Sequence, residues 1–492
     1  MRGRRQNQKG QALILVLVGL SIFLLGALGI AIDGSNLYSH RQMLQAAADS
    51  AAQAGVMSLF NKTNTGANVF GASAFTCTTT DVRTPCVYAR QNGVGANAED
   101  TIEVSFPNSS PGVNLSPTDN PALINVTITR NVTTGLVRFV APAAASIKVS
   151  ATAAIVDIVA PVPIIVTHPT LSGSFSKNGS NTIIICGGPK RSIQVNSSSS
   201  TSISISGVSG TVDLSHAGPD TTPGLCNGSG GDFGDFGGPS TYPGTIYLGS
   251  NGRYIQPASP IRDPLAPVAP PANPGPAPAV TTVAQGSNGC PATMSKRCQL
   301  YSPGAYPAGI TVKNDFALFK PGIYYITGGG FHLEANGVGQ MATGFGSHAD
   351  TGQGMVVYNT GNASKDVFEI QANSGQNGGV QYGNSFLGAP NGSIYKGILF
   401  FQDRTSAAHL HSMHGGGGLT LRGTIYLTNT EAVMRANAAQ YQAFDLQGTP
   451  GSSTQVIGEI IVSTLSLGGN ANITMTLDPG YTLNIRQVAL VR

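Results

Sequence analysis

The sequence predicts a mostly β protein on a long N-terminal helix: an α+β module, helix first and sheet after, followed by a β-solenoid. Three observations predict it. Residues 12–32 (ALILVLVGLSIFLLGALGIAI) carry no charge, and apolar residues continue at helical spacing to Leu59. Residues 101–106 (TIEVSF), 122–130 (ALINVTITR) and 145–155 (ASIKVSATAAI) alternate with the period of a half-buried strand. From residue 164 onward, brief strand-like runs are separated by Gly, Asn and Ser, in a chain with only 10% charged residues. Short strands, tight corners and few charges suit rungs stacked around a narrow core. A β-sandwich is the alternative, because no strict repeat period is visible.

The apolar run has 21 residues, about 31 Å as a helix, enough to span a bilayer. A signal peptide has a shorter apolar region, about 7 to 15 residues, so an uncleaved anchor is expected. Arg2, Arg4, Arg5 and Lys9 precede the run and Asp33 follows it. The positive-inside rule then places the N-terminus in the cytoplasm and the rest outside. Those four basic residues equal the whole net charge of +4, leaving 23 basic (27 − 4) and 23 acidic residues elsewhere. A neutral body lacks the basic face that nucleic acid requires, so nucleic acid is excluded as the main partner.

Beyond Asp33, Leu37, Leu44, Ala48, Ala51, Gly55 and Leu59 fall on one side of the extended helix, with Arg41, Gln45, Asp49 and Gln53 opposite. The small residues Ala48, Ala51 and Gly55 allow close packing, and a sheet is the expected partner. A short helix is expected at 135–140, between the second and third strands of that sheet. The solenoid strands are read at 182–186 (TIIIC), 192–195, 202–205, 211–214, 322–327 (GIYYIT), 354–358, 397–402 (GILFFQ), 423–427, 457–463 and 473–477, with a weak helical stretch at 431–443. Residues 257–278 contain nine prolines, and such a segment is extended and semi-rigid. It reads as a linker or as a strap along the solenoid, with the strap favoured. The expected organisation is a basic leader (1–10), a membrane helix (11–33), an α+β module (34–157), a first solenoid part (158–256), the Pro-rich segment (257–289) and a second solenoid part (290–492).

Gly10-Gln11-Ala12-Leu13, the apolar span, Ala31-Ile32-Asp33-Gly34, and then Tyr38, Arg41, Leu44, Gln45, Ala46 to Asp49 and Ala51 to Gly55 together resemble the TadE/TadG-like N-terminal module. The resemblance covers about the first 60 residues and continues more loosely to Ile155. It implies a pseudopilin-like α+β module, assembly of Flp (tight-adherence) pili, other pilus-assembly proteins as partners, and a single-pass place in the inner membrane with the C-terminal part periplasmic or extracellular. It implies helix packing through Ala48, Ala51 and Gly55. Two departures limit it. Leu15 stands where a prepilin processing site has Glu, and neither Asp33-Gly34-Ser35-Asn36-Leu37 nor Asp213-Leu214-Ser215-His216-Ala217 completes the Asp-x-Ser-x-Ser metal motif of larger relatives.

The six cysteines fall as near neighbours: Cys77 and Cys86, Cys186 and Cys226, Cys290 and Cys298. The even count fits disulfides in an oxidising compartment, although six cysteines allow 15 connectivities. His409, His411 and His414 form the dense histidine cluster; they would be the ligands of a metal triad, but read here as a solvated polar turn before the glycines at 415–418. No metal, cofactor or catalytic residue is expected. An alternative function, a carbohydrate-binding or polysaccharide-cleaving solenoid, would draw on paired carboxylates. Asp350, Asp366, Glu369 and Asp403 with Arg404 lie in separate runs and read as surface charge. The glycine-rich string at 228–238 reads as loop.

Overall fold

A computed structural model describes residues 7–60, 63–71, 73–95, 98–111, 113, 115, 121–136, 144–158, 162–206, 210–220, 225–371, 376–377, 380–390, 392–414, 418–448, 454–478, 480–481 and 485–491. The chain divides into two compact units, Met1–Ile158 with Arg486–Arg492, and Val159–Ile485.

The first unit is a helix laid on a sheet. Helix α1 (Asn7–Phe60) is continuous over 54 residues. Its first half exposes its large apolar side chains, from Leu13 to Ile32, and is long and apolar enough to cross a membrane. Its second half is rich in alanine, the best helix former and the smallest side chain that still packs. There Leu44, Ala47, Ala48, Ala51, Ala52 and Val56 are fully buried. They meet Ile102 and Val104 of β2 (Asp100–Ser105), Ile124, Val126 and Ile128 of β3 (Leu123–Thr133), and Val149, Ala151 and Ala153 of β4 (Ala144–Ile158). Strand β1 (Phe75–Thr76) and strands β2, β3 and β4 are antiparallel, with β3 and β4 in unbroken register from Leu123↔Ala154 to Thr133↔Ala144. The helix expected at 135–140 falls mostly outside the described residues. The final strand, Ile485–Val491, lies beside β4 in this sheet, which corrects the assignment of all of 290–492 to the solenoid.

Two polar contacts lock the unit. Asp33, 5% exposed where the apolar run ends, accepts from the backbone N–H groups of Gly135 and Leu136, both at 2.9 Å. Arg130 forms a two-pronged ion pair with Asp100, at 2.5 and 2.7 Å.

The second unit is a three-faced parallel β-solenoid. Sheets of 11, 10 and 8 strands form its faces, and every described pairing in them is parallel except that of the end strand Thr281–Val283 with Cys298–Tyr301. A Greek-key sandwich would be antiparallel, so that alternative is excluded. Inward positions hold a column of aromatic and aliphatic residues, including Phe319, Phe331, Phe368, Phe386 and Phe400 in mutual ring contact.

The rungs are not stacked in chain order. The first rung (Ile164–Val166, Phe175–Lys177, Thr182–Cys186) pairs with the last (Ile460–Val462, Thr464–Gly469, Ile473–Thr476) through Ile164↔Ile460, Phe175↔Leu465 and Ile183↔Ile473. The unit therefore begins and ends mid-stack. From the first rung the chain climbs to Tyr254–Ile255 at one end of the 10-stranded sheet, and resumes at the opposite end of the stack with Thr281–Val283. The Pro-rich segment makes the return. Nine strand gaps at about 4.8 Å require about 43 Å, and about 25 extended residues reach about 78 Å. The segment is thus a strap: Leu265 and Val268 are buried against Val356, Tyr358, Phe401, Tyr426 and Ile461, and Asn196 grips Ile261 by both backbone groups, at 2.7 and 3.0 Å.

Two local readings are corrected. Within the string at 228–238, Asp232–Asp235 is a fully buried strand with Phe233 in the core. The helical stretch at 431–443 is a helix only at Glu431–Ala436, and Gln442–Gly448 is a strand.

Candidate functional site

In the first unit, Ala48, Ala51 and Gly55 turn toward their own sheet and toward helix α2 (Thr84–Gln91). A Cβ built on Gly55 would stand 2.8 Å from Cγ of Pro85 and 3.0 Å from Cδ1 of Ile124. These residues are spent within the unit and are not free to meet a second helix. The exposed side of α1 carries Tyr38, Arg41, Gln42 and Gln53 instead.

All six cysteines are paired, as Cys77–Cys86, Cys186–Cys226 and Cys290–Cys298. The first ties α2 to the end of the short strand Phe75–Thr76.

The histidine cluster is a strand, His409–His414, and not a solvated turn. Alternation sends His409, His411 and Met413 inward and Leu410, Ser412 and His414 outward, so the three imidazoles do not converge. His411 is fully buried. Its Nε2–H donates to Oε1 of Gln442 at 3.0 Å and its Nδ1 accepts the backbone N–H of Phe368 at 3.0 Å. Burial pushes its pKa down to about 3, so the ring is neutral. Gln442 is the hub of this network: its Nε2 donates to Ala407 O and to Asn429 Oδ1, at 2.8 and 2.9 Å. In HLHSMH the first three residues reverse the usual strand phase, with His409 and His411 inward and Leu410 outward, and Gln442 satisfies both inward rings.

The carboxylates named from sequence have separate duties. Asp366, 5% exposed, accepts from the N–H groups of Gly329 and Ala363 at 2.6 and 2.7 Å. Asp403 accepts the Tyr358 hydroxyl, and Arg404 holds the strap. Neither is plain surface charge. Asp350 is half-buried in a turn where its backbone N–H meets Nδ1 of His348. Only Glu369 joins a larger polar surface.

That surface is the outward row of the eight-stranded sheet. Register alone places Thr311, His332, Glu369, Ser412, Asp445, Ser466, Ser176 and Ser204 in line, one per rung. Glu369 is held below the ordinary carboxylate value by the hydrogen bond from Gln371, and further by His332. Burial raises Asp445, but hydrogen bonds from His414, Gln447 and Ser466 outweigh it and leave the group low. Next to Asp445 a shallow groove of about 490 Å³ is lined by Leu410, Gln447, Ser466 and Asn178. A row of hydroxyl, carboxylate and imidazole groups spaced by about 4.8 Å can hydrogen-bond an extended polar ligand. Sequence reading missed the row because its members come from eight separate strands.

Fold and surface together define a class: a β-solenoid with a polar outward row, inserted in sequence into a helix-on-sheet module whose helix is long and apolar enough to cross a membrane. Within it, residues 10–58 match the Flp pilus-assembly TadE/G-like family, a segment that coincides with nearly all of α1. None of the curated proteins is similar to the chain. Among solved structures, the crystal structure of the competence-associated pilin ComZ from Thermus thermophilus covers 80% of this chain and 83% of its own at 8% identity, with a TM-score of 0.24. A score that low carries no argument about the fold.

Proposed function

We propose that the protein is a single-pass, membrane-anchored component of Flp pilus assembly or secretion, and that its solenoid is an extracytoplasmic contact domain rather than an enzyme. The observation that carries this reading is the family match over 10–58, which falls on the helix that is apolar in its first half and sheet-packed in its second. The three disulfides favour an oxidising compartment outside the cytoplasm. Contact is favoured over cleavage because Glu369 and Asp445, the carboxylates of the outward row, are both held low. Neither keeps the proton that a general acid needs near neutral pH. The outward row also supports a second reading, in which the contact is with carbohydrate.

The test is excision. Replacing 159–484 by a short Gly-Ser linker leaves β4 and the final strand to complete the first sheet, so the shortened protein should still reach the membrane. Pilus number should fall in a full deletion strain, whereas the excision strain should keep pili and lose attachment. Normal pili in the full deletion, with loss of binding to one polysaccharide, would replace this reading by the second.

A further inference from the structure

On the outward row, His332 stands between two carboxylates, and its Nδ1 faces an oxygen of each. Its Nε2 lies 2.9 Å from the carbonyl of Lys365. A carbonyl only accepts, so Nε2 carries the proton and a neutral ring presents a bare lone pair at Nδ1. That lone pair faces Oε2 of Glu369 at 3.0 Å and Oε1 of Glu334 at 4.0 Å. With a neutral ring, three electron-rich atoms point at one spot, which either a second ring proton donated to Glu369 or a bound cation fills.

The outer oxygens are occupied. Gln371 donates to Oε1 of Glu369 at 2.9 Å, and Lys313 lies 3.9 Å from Oε2 of Glu334. Each carboxylate is thus steadied by a neighbour while its other oxygen turns to His332, and the imidazole is fixed by a backbone carbonyl. Groups that ligate metals are oriented by such outer contacts.

We propose that Nδ1 of His332 and one oxygen each of Glu334 and Glu369 bind a divalent first-row transition-metal ion of the zinc class. At about 2.1 Å from each ligand, tetrahedral or octahedral geometry needs ligand separations of about 3.0 to 3.4 Å. The three atoms lie within 4.8 Å of one another, and the two glutamates, with side chains 32% and 29% exposed, close the difference by rotating their terminal torsions. One imidazole and two carboxylates suit zinc, cobalt or manganese better than calcium, which prefers oxygen alone. Three protein ligands leave a position open to solvent, where an oxygen from a contact partner can enter. His409, His411 and His414 take no part. The other metal-ligating group among the described residues, Cys77, Asp81 and Cys86, is closed because its thiols form a disulfide.

The test uses the full chain in detergent micelles, stripped with chelator, then dialysed against Zn2+ with a weak competing chelator. About one zinc per chain is expected. Glu334→Gln and Glu369→Gln, which keep size and hydrogen bonding, should each lower affinity at least about tenfold, and His332→Ala should abolish uptake. His414→Ala should retain it. Thermal melting of the metal-free variants shows whether each still folds. The proposal is overturned if the folded parent takes up no zinc, cobalt or manganese, if nitrogen NMR shows His332 doubly protonated at neutral pH in the presence of zinc, or if uptake follows His414 and not Glu334. The proposal is independent of the pilus reading, since it requires no partner.

Discussion

Arg404 donates from Nη2 to the carbonyl of Leu265 at 2.6 Å, joining a rung to a residue 139 positions earlier in the chain. Its Nη1 donates to the carbonyl of Val268 at 2.9 Å and its Nε to the Tyr426 hydroxyl at 2.6 Å, while Tyr426 in turn donates to Asp263 of the strap. One planar guanidinium thus fastens two strap carbonyls. Arg404→Ala should cost about 3 kcal/mol, since hydrogen bonds from charged groups are worth about 1.5 to 3 kcal/mol each and the carbonyls would lose their partners. Limited proteolysis should then cut within 257–280 well before the rungs. Arg404→Lys should restore little, because an ammonium cannot span both carbonyls and the hydroxyl.

Acid should loosen the solenoid through His411. Its folded pKa of about 3 lies below the ordinary imidazole value of about 6.5. The neutral ring's contribution is complete above about pH 6.5 and is lost as pH falls toward 3. At about 1.4 kcal/mol per unit, roughly 2 kcal/mol should be gone by pH 5. Burial holds His168 below the ordinary value as well, and it acts in the same direction. Thermal melts from pH 7 to 5 should show this slope, and His411→Asn should flatten most of it. An unchanged slope in the variant would assign the acid response to another group.

Bulk at Gly55 should harm the first unit itself. A leucine there meets Pro85 and Ile124, and overpacking of this kind costs about 1 to 3 kcal/mol. Ala51→Leu with Gly55→Leu should reduce the amount of protein in the membrane, read by immunoblot. Gln53→Leu, on the exposed side, should leave that amount unchanged.

Thiol labelling of the denatured, unreduced protein should find no free cysteine. Among paired Cys→Ser replacements, Cys186 with Cys226 should be the most damaging. That bridge closes a separation of 40 residues, against 9 and 8 for the others. On chain entropy the difference is about 4 kcal/mol against about 2.5. Equal losses from all three pairs, read by denaturant melts, would count against that account.

Much of the fold was legible because its physics is local. Period-two alternation located β2, β3 and β4, glycine-bounded apolar runs such as TIIIC and GILFFQ located rungs, and proline located the strap. Asp232–Asp235 was not legible, since its aspartates are paid for by distant partners: Lys190 and Arg253 beside Asp232, and Ser202 beside Asp235. His409 and His411 were misplaced for the same reason, because Gln442 lies on the neighbouring rung, beyond three intervening elements in the sequence. The candidate site was the least visible part. Glu369 was noticed, but its place next to His332 depends on a rung register that no single segment encodes.

The stacking order also bears on biogenesis. As the chain is made, the rungs between Ile164 and Ile255 precede their neighbours in the stack, so one side of that stack stays open until Ile460 to Thr476 arrive, and the first sheet lacks Ile485–Val491 until they follow. A chain halted at the strap would expose an unpaired parallel edge, a ready template for aggregation. Both units are thus closed by segments late in the chain, so a chain broken off at the strap leaves a raw edge in each.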